Sequence, residues 1–128
     1  MPGLQLVLVT PEKTLLDEPV AALRFPLFDG QIGIMPGRAP MVGRLGYGEL
    51  KIKSASGEQS FYIDGGFVQV KGPTVSLLTN RAIPAGKVDA DEARRLLDEA
   101  AKKPGRTDVE YALKERDLER GRRMLAMT

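Results

Sequence analysis

Glu49-Leu50-Lys51-Ile52-Lys53-Ser54-Ala55-Ser56-Gly57-Glu58-Gln59-Ser60-Phe61-Tyr62-Ile63-Asp64 is the stretch whose reading decides the fold. Leu50 and Ile52 alternate with Lys51 and Lys53, a period of two that turns apolar side chains to one face and ammonium groups to the other. Ala55-Ser56-Gly57-Glu58 has the composition of a tight turn, and an apolar run resumes behind it, so the segment reads as a β-hairpin.

Working outward, Leu4–Val9, Val20–Phe28, Gln31–Ile34, Phe67–Lys71 and Thr74–Thr79 are further short β-branched and aliphatic runs. Lys71-Gly72-Pro73-Thr74 supplies a second hairpin turn, and Asp64-Gly65-Gly66 predicts a break between two strands. Many short strands at this spacing predict a β-sandwich or flattened barrel. Gly43, Gly46 and Gly48 read as turn glycines; they lack the third glycine and following helix of a dinucleotide loop. Ala85-Gly86-Lys87-Val88 lacks the first glycine and the hydroxyl residue of a P-loop and reads as a linker.

Composition changes at that linker. Residues 1–86 hold 8 basic and 7 acidic residues with 12 of the 14 glycines, whereas residues 87–128 hold 11 basic and 10 acidic residues with only two glycines. The second part is built from strong helix formers, so the expected organisation is a β-domain, 1–86, followed by helices, 87–128. Asp89 is the expected N-cap of the first helix, with Asp91 and Glu92 in its first turn and Lys102 and Lys103 at its negative end. Ala93, Leu96, Leu97, Ala100 and Ala101 make a narrow apolar stripe, and Pro104-Gly105 stops the helix. Thr107 and Glu110 form a capping-box pattern for a second helix, and the short link predicts an antiparallel hairpin. That second helix carries two stripes on a wheel of ~100° per residue: Val109, Ala112, Leu113, Met124 and Met127 on one side, and Tyr111, Leu118 and Leu125 roughly opposite.

At 128 residues the chain fits one ordinary domain, or a small domain with an appendage, and it has neither Cys nor His. Thiol chemistry, Cys/His zinc sites, histidine bases and the triads that need them are thereby excluded. A net charge of +2 and seven aromatics without Trp give no nucleic-acid footprint. No apolar run is long enough to span a bilayer and no signal-peptide pattern opens the chain, so it is expected to face the cytosol. Asp89, Asp91 and Glu92 are ordinary first-turn charges with no surrounding metal-ligand set. No catalytic constellation is present, which leaves a regulatory or coupling subunit as the reading.

Three segments then carry a specific resemblance. Thr10-Pro11-Glu12-Lys13, Gly33-Ile34-Met35-Pro36-Gly37-Arg38-Ala39-Pro40-Met41 and Ile63-Asp64-Gly65-Gly66-Phe67-Val68-Gln69-Val70 look like the hallmark segments of the epsilon subunit of F-type ATP synthases, in order and spacing. Asp108-Val109-Glu110-Tyr111-Ala112 resembles the start of that family's second helix. The resemblance implies an α+β, mainly β, chain: an N-terminal ten-stranded β-sandwich followed by a C-terminal antiparallel α-helical hairpin. It further implies a non-catalytic central-stalk subunit that couples a gamma subunit to the proteolipid ring and inhibits ATP hydrolysis through its helices. The expected location is peripheral, on the cytoplasmic face of the bacterial inner membrane or its organelle equivalent, with membrane association only through the complex.

The same resemblance suggests site residues. Asp29, Gly33, Arg38 and Met41 belong to the rotor or ring contact, in a loop that Pro36 and Pro40 stiffen. Lys114, Arg116, Arg120, Arg122 and Arg123 are the cations that would meet acidic residues of the catalytic subunits. Val88, Asp89 and Ala93 fall on the family's nucleotide motif, but Glu92 stands where that motif has arginine, so ATP binding is expected to be weak or absent and no cofactor is expected. Arg38 stands where the family often has His. Two other classes are weighed against this one: a free-standing small-ligand-binding β-module with a helical cover, and an enzyme working with carboxylates alone.

Overall fold

The computed structural model describes residues 3–128 and divides into two compact units, the first ending at Pro84 and the second running Ala85–Thr128. Eight strands form the first: β1 (Leu4–Val9), β2 (Thr14–Val20), β3 (Ala22–Leu27), β4 (Gly30–Ile34), β5 (Met41–Ser54), β6 (Gly57–Lys71), β7 (Thr74–Leu78) and β8 (Ala82–Pro84). The hydrogen-bonded order is β2-β1-β7-β6-β5-β3-β4, with β8 on β6. All pairs are antiparallel except β1 with β7.

The two hairpin turns fall where expected, with Ser54 facing Gly57 and Lys71 facing Thr74. The glycines do something else. Gly43, Gly46 and Gly48 lie inside β5, and Asp64-Gly65-Gly66 lies inside β6, so neither set is a turn or a break. Ladder pairing skips from Leu45–Gly66 to Tyr47–Asp64, and there both strands kink and pass from one layer to the other. A Cβ on Gly46 would come within 2.6 Å of the Leu27 carbonyl oxygen, and one on Gly66, at φ +114°, within 1.9 Å of the Leu78 carbonyl oxygen. Counted as two segments each, the kinked strands turn eight strands into the expected ten.

One layer therefore holds β2, β1, β7 and the adjoining halves of β6 and β5; the other holds β8, the remaining halves, β3 and β4. Leu6, Leu8, Val75, Leu77 and Val70 from the first meet Phe25, Ile34, Leu50, Ile52 and Ile63 from the second, all essentially inaccessible to water. Burying each such side chain stabilises the fold by about 1.5–3 kcal/mol. β2 and β8 were not anticipated. Asp17, Glu18 and Pro19 mask the alternation of β2, and an edge strand tolerates them because its outer N–H groups need no partner.

In the second unit a 3₁₀ turn, Ala85–Lys87, precedes α1 (Ala90–Lys102) and α2 (Asp108–Ala126). Asp89 accepts a hydrogen bond from the Asp91 N–H (2.9 Å), and Thr107 accepts one from the Glu110 N–H (3.1 Å), so both caps form as read. The stripes of α2 need correction. Its buried positions are Asp117, Gly121 and Met124, a seam that takes Met124 from the first predicted stripe and otherwise lies between the two, while Val109, Ala112 and Leu113 are exposed. Gly121 is the contact point: a Cβ there would meet the Leu97 side chain at 2.8 Å and the Ala93 carbonyl oxygen at 3.4 Å. Removing one side chain lets the helix backbones approach, and the wheel has no way of weighting a glycine as core.

Lys103 also departs from expectation. It lies just beyond α1, and its ammonium donates to the carboxylate of Asp117 on α2. Arg116 (3.3 Å) and Arg120 (3.4 Å) reach the other oxygen of the same carboxylate, which is only 8% exposed. Burial pushes the Asp117 carboxyl up, but the Lys103 hydrogen bond and the charges of Arg116 and Lys103 outweigh it, leaving the group below its ordinary value of 3.8.

Two outcomes are expected. Gly66→Ala should lower stability by on the order of 3 kcal/mol in urea unfolding, whereas Gly86→Ala, whose Cβ meets nothing within 4 Å, should change it by less than about 0.5 kcal/mol. For the hairpin, the folded Asp117 pKa is lowered, so its stabilisation is complete above the unfolded value of 3.8 and is lost as pH falls through the folded value. Helical circular dichroism should therefore hold from neutrality to about pH 4 and decline below it. Asp117→Asn should cost about 1–2 kcal/mol at pH 7, discounted for half-exposed cations, and should flatten that acid decline.

Candidate functional site

The outer face of the first layer is unusually apolar. Register sets Arg44, Phe67, Leu78 and Val9 side by side across β5, β6, β7 and β1, and sets Val42 beside Gln69 in the next row. Val42 is 74% exposed, Phe67 58% and Leu78 50%. Phe28, 69% exposed, lies beneath the Arg44 guanidinium, whose central carbon is 4.5 Å from the ring centroid. Large apolar side chains gathered on one face mark a surface that is covered in use, and the stacked arginine adds a fixed cation.

A cavity of about 420 Å³ opens on this face at the kinks of β5 and β6, lined among others by Leu45, Tyr47, Phe67, Leu78, Thr79 and Asn80. Its polar lining is already engaged. The Thr79 hydroxyl accepts from the Asp64 N–H and donates to the Arg81 carbonyl, both at 3.2 Å, and Asn80 donates to the Asp64 carbonyl at 3.2 Å. Among the described residues no group of three potential metal ligands gathers. The arrangement suits recognition by contact, with apolar side chains at the mouth and one cation at the edge.

The residues proposed for the ring contact are spread out. Asp29 is exposed in the two-residue turn between β3 and β4, and Gly33 lies within β4 opposite Arg24. The loop of residues 35–40, with Arg38 exposed, leaves the other end of β4, about 13 Å of strand away. Met41 opens β5 and packs against the core, so the methionine the loop presents is Met35, 68% exposed, which sequence reasoning passed over. Phe28, Val42, Phe67 and Leu78 were also missed as a surface; only their alternation against buried neighbours would have marked them.

Among the hairpin cations, Arg116 and Arg120 are engaged by Asp117, and Arg123 pairs with Glu119 at 2.7 Å. Lys114 is half-buried, while Arg122 is exposed and makes no ion pair among the described residues. Of the nucleotide-motif residues, Val88 is half-buried, the Asp89 carboxylate is occupied as a cap, and Ala93 is fully buried. Arg94, a conceivable substitute for the missing arginine, pairs with Asp91 at 3.2 Å in an exposed and therefore weak bridge.

Comparison with known proteins agrees with this geometry. Residues 3–85 match the family model described as the ATP synthase Delta/Epsilon chain beta-sandwich domain. The ATP synthase epsilon chain of Rhodopirellula baltica is 43% identical over 123 residues, covering 96% of each chain, and the sodium-ion-specific epsilon chain of Propionigenium modestum is 35% identical over 95 residues, 74% of this chain and 69% of that one. Among solved structures, a chain of the Euglena gracilis mitochondrial ATP synthase OSCP/F1/c-ring assembly superposes with a TM-score of 0.84 at 27% identity, covering 98% of this chain and 81% of that one. A chain of the Tetrahymena thermophila central stalk and c-ring assembly has the same fold, with a TM-score of 0.76 at 21% identity and coverage of 98% and 97%. A buried β-sandwich core, a kinked β6 carrying Asp64-Gly65-Gly66-Phe67 and a capped helical hairpin thus coincide with matches over nearly the whole chain, and the chain belongs to the ATP synthase epsilon chain family.

Proposed function

We propose that this protein is a non-catalytic central-stalk subunit of an F-type ATP synthase, joining a gamma subunit to the proteolipid ring and restraining ATP hydrolysis through its hairpin. Family membership supports the complex, and the observation that carries the docking role is the exposed row of Phe67, Leu78, Val42 and Phe28 beside Arg44. Such a face is costly in water and gains its free energy when a partner covers it. Membership removes the ground for a free-standing ligand-binding module.

In this reading the sandwich, proposed as residues 1–86, is the rotor-binding domain, and it places the face against gamma. The ring side takes Asp29, Gly33 and the loop bearing Met35 and Arg38, with Met41 anchoring that loop through the core. No helix of the described residues is long and apolar enough to cross a membrane. The proposed attachment is through the complex, at the cytoplasmic face of a bacterial inner membrane or its organelle equivalent. The hairpin, 87–128, is the regulatory domain. Its cations Lys114, Arg116, Arg120, Arg122 and Arg123 meet carboxylates of the catalytic subunits when α2 is extended, and ATP binding at Val88, Asp89 and Ala93 is weak or absent because Glu92 repels phosphate.

Phe67→Ser combined with Leu78→Ser should weaken binding to the cognate gamma subunit by about a hundredfold or more in titration calorimetry, the scale of paired interface anchors, without loss of cooperative unfolding. Undiminished binding would place gamma elsewhere. For regulation, Arg122→Glu is the clean substitution, because Arg116 and Arg120 are engaged by the Asp117 carboxylate and Arg123 pairs with Glu119 along α2. ATP hydrolysis by the assembled complex should rise on the order of twofold to fivefold, the range of an exposed ion pair, and its inhibition should become less salt-sensitive. Unchanged hydrolysis after removal of residues 87–128 would make the hairpin a packing element.

A further inference from the structure

The outer face of the second layer carries a different chemistry. Arg24 in β3 stands directly opposite Lys51 in β5, and Lys53, two residues along, stands opposite Ala22. Opposite residues in an antiparallel pair have Cβ atoms about 5 Å apart, and same-face residues along a strand lie about 7 Å apart. Three cationic side chains thus leave the sheet from one small triangle. Like charges placed directly opposite destabilise a sheet, and these three find no hydrogen bond or ion pair among the described residues to offset that.

Their neighbours are small. Gly33 lies beside Arg24 on β4, Ala22 faces Lys53, and Ser60 faces Lys51. The cations therefore stand around a depression of about 210 Å³ whose lining is Ala22, Leu23, Arg24, Lys51, Lys53 and Glu58. We propose that this depression binds a compact phosphate-class polyanion, with pyrophosphate as the smallest complete ligand. The Arg24 fork takes two oxygens of one phosphoryl group, and Lys51 and Lys53 serve as point charges for the rest. Concavity favours a small ligand over a membrane, and Glu58, opposite Lys53, sets a carboxylate at the rim that an extended anionic surface would have to oppose. The site lies wholly within the sandwich, does not involve residues 88–93 and does not depend on the stalk reading.

The test is a titration of the isotope-labelled full chain with sodium pyrophosphate at constant ionic strength, read by amide chemical shifts. Saturable shifts are expected at residues 22–24, 33, 51–53 and 58–60. The midpoint should rise at least tenfold in Lys51→Gln/Lys53→Gln, and Arg24→Gln should weaken binding similarly. Without ligand, the single variant Lys51→Gln should melt no lower than the parent, because its like-charge opposition to Arg24 has been relieved. The proposal is overturned by shifts that are absent or centred on Lys103, Arg116 and Arg120, by an unchanged midpoint in the variants, or by a lowered melting temperature that makes Lys51 structural. It is equally overturned if the three residues govern binding to anionic phospholipid vesicles while pyrophosphate gives no saturable response.

Discussion

Two strands, β5 and β6, run through both layers of the sandwich, and they do so only because no side chain occupies the point where Gly66 meets the Leu78 carbonyl and Gly46 meets that of Leu27. Everything else in the first unit is arranged around that crossing. It closes the core by bringing Val70, Val75 and Leu77 over Leu50, Ile52 and Ile63. It also opens the cavity, since the kink leaves space between Tyr47, Leu45 and Asn80 that a straight ladder would fill. Phe67, one residue past the kink, is thrown outward beside Leu78 as a direct consequence. Core and exposed apolar face are two products of one steric constraint.

The two outer faces divide the work by charge. Alternation makes both inner faces apolar, but the outer residues of the first layer are Val42, Phe67 and Leu78, and those of the second are Arg24, Lys51 and Lys53. An apolar face with one stacked arginine is suited to a protein partner of some hundreds of Å², where desolvation supplies the free energy. A cationic hollow among small residues is suited to an anion that brings its own charge. A single sandwich thus presents unlike surfaces without any change of fold.

In the hairpin, electrostatics acts beside hydrophobic contact. The fully buried seam of α2 is Asp117, Gly121 and Met124, and the Asp117 carboxylate joins the end of α1 to the middle of α2 through Lys103. A buried carboxylate is stabilising only while its cations are in place, which makes the closed hairpin conditional on them. The exposed Val109, Tyr111 and Leu113 remain for another surface.

How far the sequence reaches depends on which forces are local. Alternation, turn chemistry and capping act over a few residues, so the hairpins at Ala55-Ser56 and Gly72-Pro73, the caps Asp89 and Thr107, the compositional change and the family motifs were all legible in the chain. Long-range approach was not. Gly43, Gly46, Gly48, Gly65 and Gly66 have the same local signature in a turn as in a strand interior, and only a neighbouring strand decides between them. Likewise Lys103 reads as a helix-end cation until α2 brings Asp117 beside it, and Met41 reads as a loop residue until the core receives it. The sequence by itself determined both helices with their caps, the two hairpin turns, most of the strands and the family they compose, while β2, β8 and the glycine-bearing stretches of β5 and β6 escaped it. Tertiary structure decided which glycines are crossings, which charges are shared and which faces stay open, because those depend on distances between residues that the chain does not place next to one another.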